Sequence, residues 1–598
     1  MAPAEGCVSA PQPVRVFAMG IIAEYSLPIL AALLLIIFYL GLPDLQRCRL
    51  DRSGGCRLDR IDAALMAGIS LVYACVAFWN LGDTRAPESF VNMEQRSATV
   101  ELEESGAREL MLYSGVGIGE YTIEFSADGE NYSPLTSFSQ THGEVLKWNK
   151  VELEGGLPAG FLRISATGNV WLGELVARDG EGNIIPASSN EAALTDEQEL
   201  CPAEQTFMNS SYFDEIYHAR TAWENLNGVY PYEITHPPLG KEIIALGITI
   251  FGMTPFGWRF SGTFFGVLML PIMYVFLKKL FGGRTAPAAG TIVFAADFMH
   301  FVQTRIATID TYAVFFILLM YLFMYLFFTE NKLRYLALSG LFFGLGAASK
   351  WTCLYAGAGL ALIWAWYWIK NARRGVKAFL KNCGFCLVFF VLLPCTIYYL
   401  SYIPYAQARG GLPLFSMDYL KMVLDNQEYM FNYHSTIVAT HPYSSRWYQW
   451  ILDIRPILYY LQYLPDGMRS SFGAFVNPAL CWGGFIGLFA LGYMAIGRRD
   501  QKAAFILLGY LAQLLPWVFV SRLTFEYHYF PCTVFLVLTM GYIFNIMELN
   551  CRRGRIYAWS FALGCLALFV LFYPALSGAP VDNASATKIL GWLPSWPF

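Results

Sequence analysis

Residues 308–329 read TIDTYAVFFILLMYLFMYLFFT, with one charge, Asp310, near their head. A run of that length matches the ~20 residues an α-helix needs to cross the hydrocarbon of a bilayer. Comparable apolar runs fall at 24–42, 62–81, 256–277, 286–303, 333–349, 351–369, 382–402, 476–497, 503–520, 525–546 and 556–577; the short run 333–349 could be tilted or re-entrant. The 598-residue chain is 56% hydrophobic and only 14% charged, against about 25% charged in an ordinary soluble protein. The composition predicts a polytopic membrane protein. It is helical because an open sheet edge cannot be satisfied in lipid, and the alternating pattern of a barrel is missing. Disorder, a collagen-like fibre and a soluble two-layer domain fit poorly. With 41 basic and 45 acidic residues, no strongly basic domain exists to track a phosphate backbone, so nucleic acid is not expected as a partner. The first long apolar run, Leu27 to Leu42, is followed by an Arg-rich stretch rather than a small-residue cleavage site, unlike a cleavable signal peptide.

Basic residues in short loops set the orientation. With twelve spans, the clusters Arg47 to Arg60, Lys278 to Arg284, Lys332 and Arg334, Arg373 to Lys381, Arg498 to Lys502 and Arg552 to Arg555 all fall on one side, the cytoplasmic one. One missed span would put the later clusters on the wrong face. Two long segments, 82–255 and 403–475, then lie outside, as do both termini and all seven His residues or the span ends that carry them. The expected organisation is a transmembrane hairpin and connection (1–94), an insertion (95–197) and an extracytoplasmic loop (198–255). Helices (256–402), a second outer loop (403–475), helices (476–577) and an outer tail (578–598) follow. Within the insertion, Val100 and Leu102, Leu110 to Tyr113, Tyr121, Ile123 and Phe125, and Phe161, Leu162 and Ile164 read as short strands separated by turn residues such as Asp128-Gly129. An antiparallel β-sandwich is expected. Its short segments, with Trp148 and Trp171, resemble a discoidin-type, galactose-binding-like sandwich; a glycan ligand and a ligand-free structural ornament both stay open. The 13 Cys show no disulfide framework, and Cys383 with Cys386 lacks the second pair of a zinc site.

Four constellations could carry chemistry. In Phe213-Asp214-Glu215-Ile216-Tyr217-His218-Ala219-Arg220, two adjacent carboxylates can raise one another's proton affinity, and on a helix Asp214 and His218 share a face. Downstream, in Thr235-His236-Pro237-Pro238-Leu239-Gly240-Lys241, the prolines stiffen the chain and Gly240 permits close approach of another element. Lys241 is expected to lay its stem along lipid and meet a head group. A capped juxtamembrane helix is the plainer alternative. Second, Arg305 suits a lipid phosphate, with Asp310 to orient it; a capping Asp and a snorkelling Arg would do equally. Third, His441-Pro442-Tyr443-Ser444-Ser445-Arg446-Trp447-Tyr448-Gln449-Trp450 mixes a base with interfacial aromatics that suit a sugar or a head group, or simply form an aromatic belt. Fourth, Arg522 stands near Glu526, His528 and Tyr529 at the outer start of a span. No phosphate-cradling loop or nucleophile elbow is present.

The Asp-Glu pair, the His-Pro-Pro-Leu-Gly-Lys run and the His-Pro-Tyr-Ser-Ser-Arg-Trp run resemble the dolichyl-phosphate-mannose–protein mannosyltransferase family, in particular its bacterial branch. The resemblance covers about 200–546 and implies a multispanning GT-C fold in a bacterial cell membrane. It also implies an extracytoplasmic active site, a polyprenyl-phosphate-linked sugar donor and a protein Ser or Thr acceptor, with membrane lipids around it. By motif position it makes Asp214 the catalytic base, Glu215 its acidic neighbour, and Arg305 with Asp310 the binders of donor phosphate or organisers of the site. His218, His236, Lys241, His441, Arg446, Trp447, Arg522 and His528 would shape the cavity. Mannose would be transferred with inversion of the anomeric centre. No tightly bound organic cofactor is expected, no metal ligand is assigned, and dependence on a divalent metal is left undecided. An extra N-terminal span and the insertion at 95–197 depart from the family pattern. A transferase acting on a lipid or cell-wall glycan, and a transporter or flippase, are the competing readings.

Overall fold

The computed structural model describes residues 31–50 and 57–598. Residues 24–30 of the first apolar run, Arg52, and most of the N-terminal stretch read against a signal peptide lie outside the described residues. Among the described residues nine helices are long and apolar enough to cross a membrane. Thr285–Ala295 and Phe298–Thr304, bent by 55°, add a broken span, and Leu333–Ser349 is a shorter apolar helix. Residues 31–47 are helical as well.

Asp310–Glu330 and Glu526–Asn550 are central, with 89% of their apolar windows buried by the rest of the chain, whereas Arg60–Phe78 is 17% buried and peripheral. Charge inside such a bundle has to be paired. At one end Lys278 Nζ lies 3.1 Å from Asp62, which also accepts the Tyr274 hydroxyl at 2.8 Å. The bend between the two halves of the broken span frees backbone groups. Asn477 Nδ2 donates to Ala296 O at 2.8 Å, Asp297 accepts the Asn477 N–H at 3.0 Å, and its other oxygen caps His300 N at 3.1 Å. The irregular backbone is thus satisfied by protein, as lipid requires.

The insertion folds into two five-stranded antiparallel sheets. One runs Val91–Asn92, Val170–Arg178, Ala107–Gly117, Lys147–Leu157, with Ile184–Ile185 beside the second strand; the other runs Ala187–Ser189, Ser97–Leu102, Gly160–Thr167, Gly119–Ser126, Ser133–Gln140. Period-two alternation turns Ala98, Val100 and Leu102 inward. They join Tyr121, Ile123 and Ile164 of their own sheet and Leu110, Leu112 and Leu172 of the other in one apolar core.

The second outer segment holds more than a loop. It contains the helix Met417–Thr436 and a hairpin, Ile457–Tyr463 with Met468–Ala474, to which Val581–Asp582 adds a third strand. The hairpin turns at Pro465-Asp466-Gly467, where Asp466 (φ +57°) and Gly467 (φ +72°) supply left-handed backbone, the conformation that Asp and Gly tolerate in turns.

Ile164 is fully buried and pairs across the sheet with both Ile123 and Ala98. Ile164→Ala should destabilise the insertion by about 2–5 kcal/mol, read as a lower-temperature unfolding transition of the purified protein; an unchanged transition would show that this core does not hold the sheets.

Candidate functional site

After the sheets, the chain is hooked back onto them, Ser211 N donating to Leu146 O at 2.9 Å and Ser211 Oγ to Val145 O at 2.7 Å. Phe213 then adopts φ +47°, a costly conformation for a bulky aromatic residue. Its ring stacks on Tyr459 with centroids 4.2 Å apart. The turn launches the helix Glu215–Leu226 from Asp214, whose side chain makes no capping bond. Asp214 is half-buried. Burial first, and then the charge of Asp310, push its carboxyl up to about 7, with Lys350 opposing and Glu233 adding to the rise.

The adjacent acids do not act on one another as the sequence led us to expect. Glu215 is fully buried and turned away, in a two-point pair with Arg259 (Nε to Oε1 and Nη2 to Oε2, both 2.7 Å). It also accepts the N–H groups of Ala307 and Tyr212, each at 3.2 Å. The like charge that reaches Asp214 is that of Asp310, at the head of Asp310–Glu330. Asp310 does not orient Arg305; both its oxygens lie 2.7 Å from Lys350 Nζ. Arg305 instead donates to Ala77 O (3.0 Å), Trp79 O (2.9 Å) and Asn80 O (2.8 Å), closing the end of the helix Arg60–Phe78.

Lys241 is likewise not at the lipid. It is buried, with Nζ 2.6 Å from Glu233 Oε2 and bonds to Glu233 O (2.8 Å), His236 O (2.9 Å) and the Tyr405 hydroxyl (3.2 Å). Gly240 lets this element close in, since a Cβ there would come within 2.7 Å of Ile309. Burial raises Glu233, but Lys241 and His236 outweigh it and hold the carboxylate well below its usual range. His236 Nδ1 lies 3.0 Å from Glu233, and His218 Nδ1 3.9 Å from it. Burial lowers His218 to about 3 and His434, whose ring lies 5.1 Å from His236, to about 4. These imidazoles are neutral at pH 7.

Of the remaining predicted residues, His441, Arg446 and Arg522 line a cavity of about 420 Å³. Its lining includes His441, Arg446, Gln449, Arg522 and the segment 435–440, and it holds no acidic residue. Arg446 donates to Ser521 O at 3.0 Å and Arg522 to Leu523 O at 3.2 Å. Trp447 packs half-buried beside them, while His528 is buried, stacked 4.4 Å from Tyr527 and edge-on to Trp517, and serves packing rather than the cavity. The charge of Arg522 reaches Tyr433 and His434, and Asp214 also acts on Tyr433.

Sequence reasoning missed Lys350, Arg259, Glu233, Tyr459, Tyr527 and His434. Lys350 carried a signal: it is the basic residue between two apolar runs on the face opposite all the basic clusters. Tyr459 and Tyr527 stand 6.4 Å apart and each within 6.3 Å of the Phe213 ring. Tyr459 donates to Gln303 Oε1 at 2.6 Å, and Lys350 Nζ lies 5.7 Å from the Tyr527 ring.

Two family models match, one described as dolichyl-phosphate-mannose-protein mannosyltransferase over residues 235–398, the other as the C-terminal four-transmembrane region of protein-O-mannosyltransferase over 419–596. The sheets at 91–189 lie outside both ranges. A polyprenol-phosphate-mannose–protein mannosyltransferase of Mycolicibacterium smegmatis is 26% identical over an alignment of 459 residues that covers 64% of this chain and 87% of that protein. One from Corynebacterium glutamicum is 23% identical over 465 residues, covering 65% and 89%. Among solved structures, the protein O-mannosyltransferase complex of S. cerevisiae bound to the sugar donor superposes with a TM-score of 0.57 at 15% identity, covering 65% of this chain and 89% of that one. The architecture is a polytopic α-helical GT-C-like membrane fold with extramembrane sheets.

Glu215→Ala would strand Arg259 as an unpaired buried cation, at about 3–5 kcal/mol. Thermal unfolding in detergent should show this loss, and pairing it with Arg259→Met should recover part of it; equal stability of Glu215→Ala and the parent would remove the pair from its anchoring role.

Proposed function

The chain belongs to the protein O-mannosyltransferase family, and from this we propose that it transfers mannose from a polyprenyl-phosphate-mannose donor to Ser or Thr hydroxyls of proteins, with inversion at the anomeric carbon. The observation that carries the reading is Asp214: a half-buried carboxylate free of capping duty, lifted to about 7 by burial and by the charge of Asp310, which Lys350 holds. A base with that proton affinity is half-ionised near neutral pH, where general-base transfer is most efficient.

In the step, Asp214 takes the acceptor's hydroxyl proton as that oxygen bonds to the anomeric carbon. The bond from that carbon to the phosphate oxygen breaks, and polyprenyl phosphate leaves with the electron pair. Phosphate needs no acid to depart; it needs positive charge where its own negative charge grows. We assign that task to Arg522 and Arg446, which flank a cavity free of acidic groups. Lys350 keeps Asp310 in place and tempers its effect on Asp214. Glu215 and Arg305 act through the backbone they hold and are positioning residues; Lys241 and Glu233 do the same for the two His side chains beside them.

The positive-inside distribution supports a location in the bacterial cell membrane with this end extracytoplasmic, and the regions 198–255 and 403–475 as its catalytic loops. The two packed sheets of 95–197 we take as the discoidin-like sandwich, a candidate glycan-binding accessory.

Asp214→Asn, folded and inserted, should lower transfer of labelled mannose to an acceptor peptide by about 100-fold or more; full retained transfer would refute the assignment. Because the base works ionised, kcat/KM in the parent should climb with pH through a midpoint near 7. Asp310→Asn removes the like charge, so the rising limb should move to lower pH. A limb that stays in place would mean that Asp310 does not tune the base.

A further inference from the structure

We propose that Glu174, Asp196 and Glu197, with the hydroxyl of Ser89, bind a divalent cation of the Ca²⁺ class at the neck of the inserted sheets. Glu174 lies on the strand Val170–Arg178, and Ser89 on the segment by which the chain enters the sheets. Asp196 and Glu197 lie where it leaves them for the catalytic segment. Ligand oxygens of the three acids all fall within 4.8 Å of one another.

The second observation is an orphan. Glu174 is fully buried, and its Oε1 has no hydrogen-bond partner; its Oε2 accepts only the Glu197 N–H at 3.1 Å. The phenol of Tyr113 is also buried without a partner, and it feels the charge of Glu197. No Lys or Arg among the described residues forms an ion pair with the three acids. The nearby bases are engaged elsewhere, Arg85 with Glu199 at 3.4 Å and Arg178 with Glu109 at 3.5 Å and with the carbonyls of Cys201 and Ala203. Three clustered carboxylates without a counter-charge repel strongly in such a site, and a bound cation relieves the repulsion.

The ligand chemistry selects the ion. Every donor is a carboxylate or hydroxyl oxygen, which suits hard cations rather than zinc. Ser89 Oγ approaches Asp196 (3.5 Å) and Glu197 (3.4 Å), and the Glu88 N–H donates to Glu197 at 2.9 Å. An ion here would tie the entering and leaving strands of the neck together and hold the sheets in register with the segment that leads to Asp214.

The test uses the full chain in detergent, stripped with chelator and titrated with CaCl₂, following its unfolding temperature and, separately, Tb³⁺ luminescence excited through aromatic residues. Saturable binding is expected, with a Kd of about 10⁻⁴–10⁻³ M as in extracellular modules, and a rising unfolding temperature. Asp196→Asn, at an exposed position, should keep the parent's cation-free unfolding temperature and lose both responses; Glu174→Gln should lose both as well. A parent without saturable response to Ca²⁺, Mg²⁺ or Mn²⁺ up to about 10 mM, ten times the weakest such Kd, would overturn the site, and so would variants that respond like the parent. Neither readout depends on mannosyl transfer, so failure here leaves the catalytic reading standing.

Discussion

A carboxylate and a guanidinium, Glu215 and Arg259, meet where almost no water reaches, and the geometry of the site follows from how they are satisfied. Burying both ions costs several kcal/mol each, recovered only with near-ideal geometry and further hydrogen bonds. Both conditions hold. Arg259 spends its remaining donors on Leu81 O (2.9 Å), Phe207 O (2.7 Å) and Ser210 O (3.0 Å), while Glu215 receives Ala307 and Tyr212. The pair therefore joins the end of one span, the segment leaving the sheets, the start of the helix Glu215–Leu226 and the turn before Asp310. With Glu215 pinned inward, Asp214 stands just before the helix without a capping bond, and Phe213 before it takes a positive φ. The strain there is offset by stacking on Tyr459 and by the anchored residues on either side.

Similar commitments set the electrostatics around Asp214. A lone buried carboxylate would simply stay protonated, and one beside a free lysine would stay ionised. Here the nearest cation, Lys350, is shared with Asp310, so its pull on Asp214 is partly cancelled by the acid it holds. His218 and His434 contribute no charge, because burial keeps them neutral. Glu233 stays ionised through Lys241 and His236, and its field adds to that of Asp310. Asp214 is tuned by surplus negative charge held by Asp310 and Glu233, and not by the adjacent acid.

Much of the fold was legible because lipid leaves few options: apolar runs of span length stand out in any sequence, and the period-two pattern of Ala98, Val100 and Leu102 survives in water. Asp214 drew attention for a related reason, since an acidic pair at the border of a span stands out against apolar runs. Partners were harder to read. Arg259 sits in an apolar run where one sequence names no counter-ion; Arg305 is held by three carbonyls, which sequence does not display; Lys241 looked like a snorkelling residue until Glu233 and Tyr405, 8 and 164 residues away, were found around it. The hairpin carrying Tyr459 was overlooked although Pro465-Asp466-Gly467 marks its turn, because aromatic interfacial segments blur the alternation that betrays a strand.

The pairing pattern also narrows where a phosphate can be received. Around Asp214 each buried cation already has a carboxylate or a set of carbonyls: Lys350 has Asp310, Lys241 has Glu233, Arg259 has Glu215, and Arg305 has the end of Arg60–Phe78. Moving any of them to a ligand would break a buried interaction that supports the site. Arg446 and Arg522 have carbonyl contacts alone, one exposed and the other half-buried, and they face a cavity without acids. A dianionic leaving group gains most there and disturbs least. In the proposed reaction the anomeric carbon would then be presented to Asp214 from the side of residues 435–446 and 521–524. In-line displacement requires the acceptor hydroxyl to come from the opposite side, past Asp214 itself.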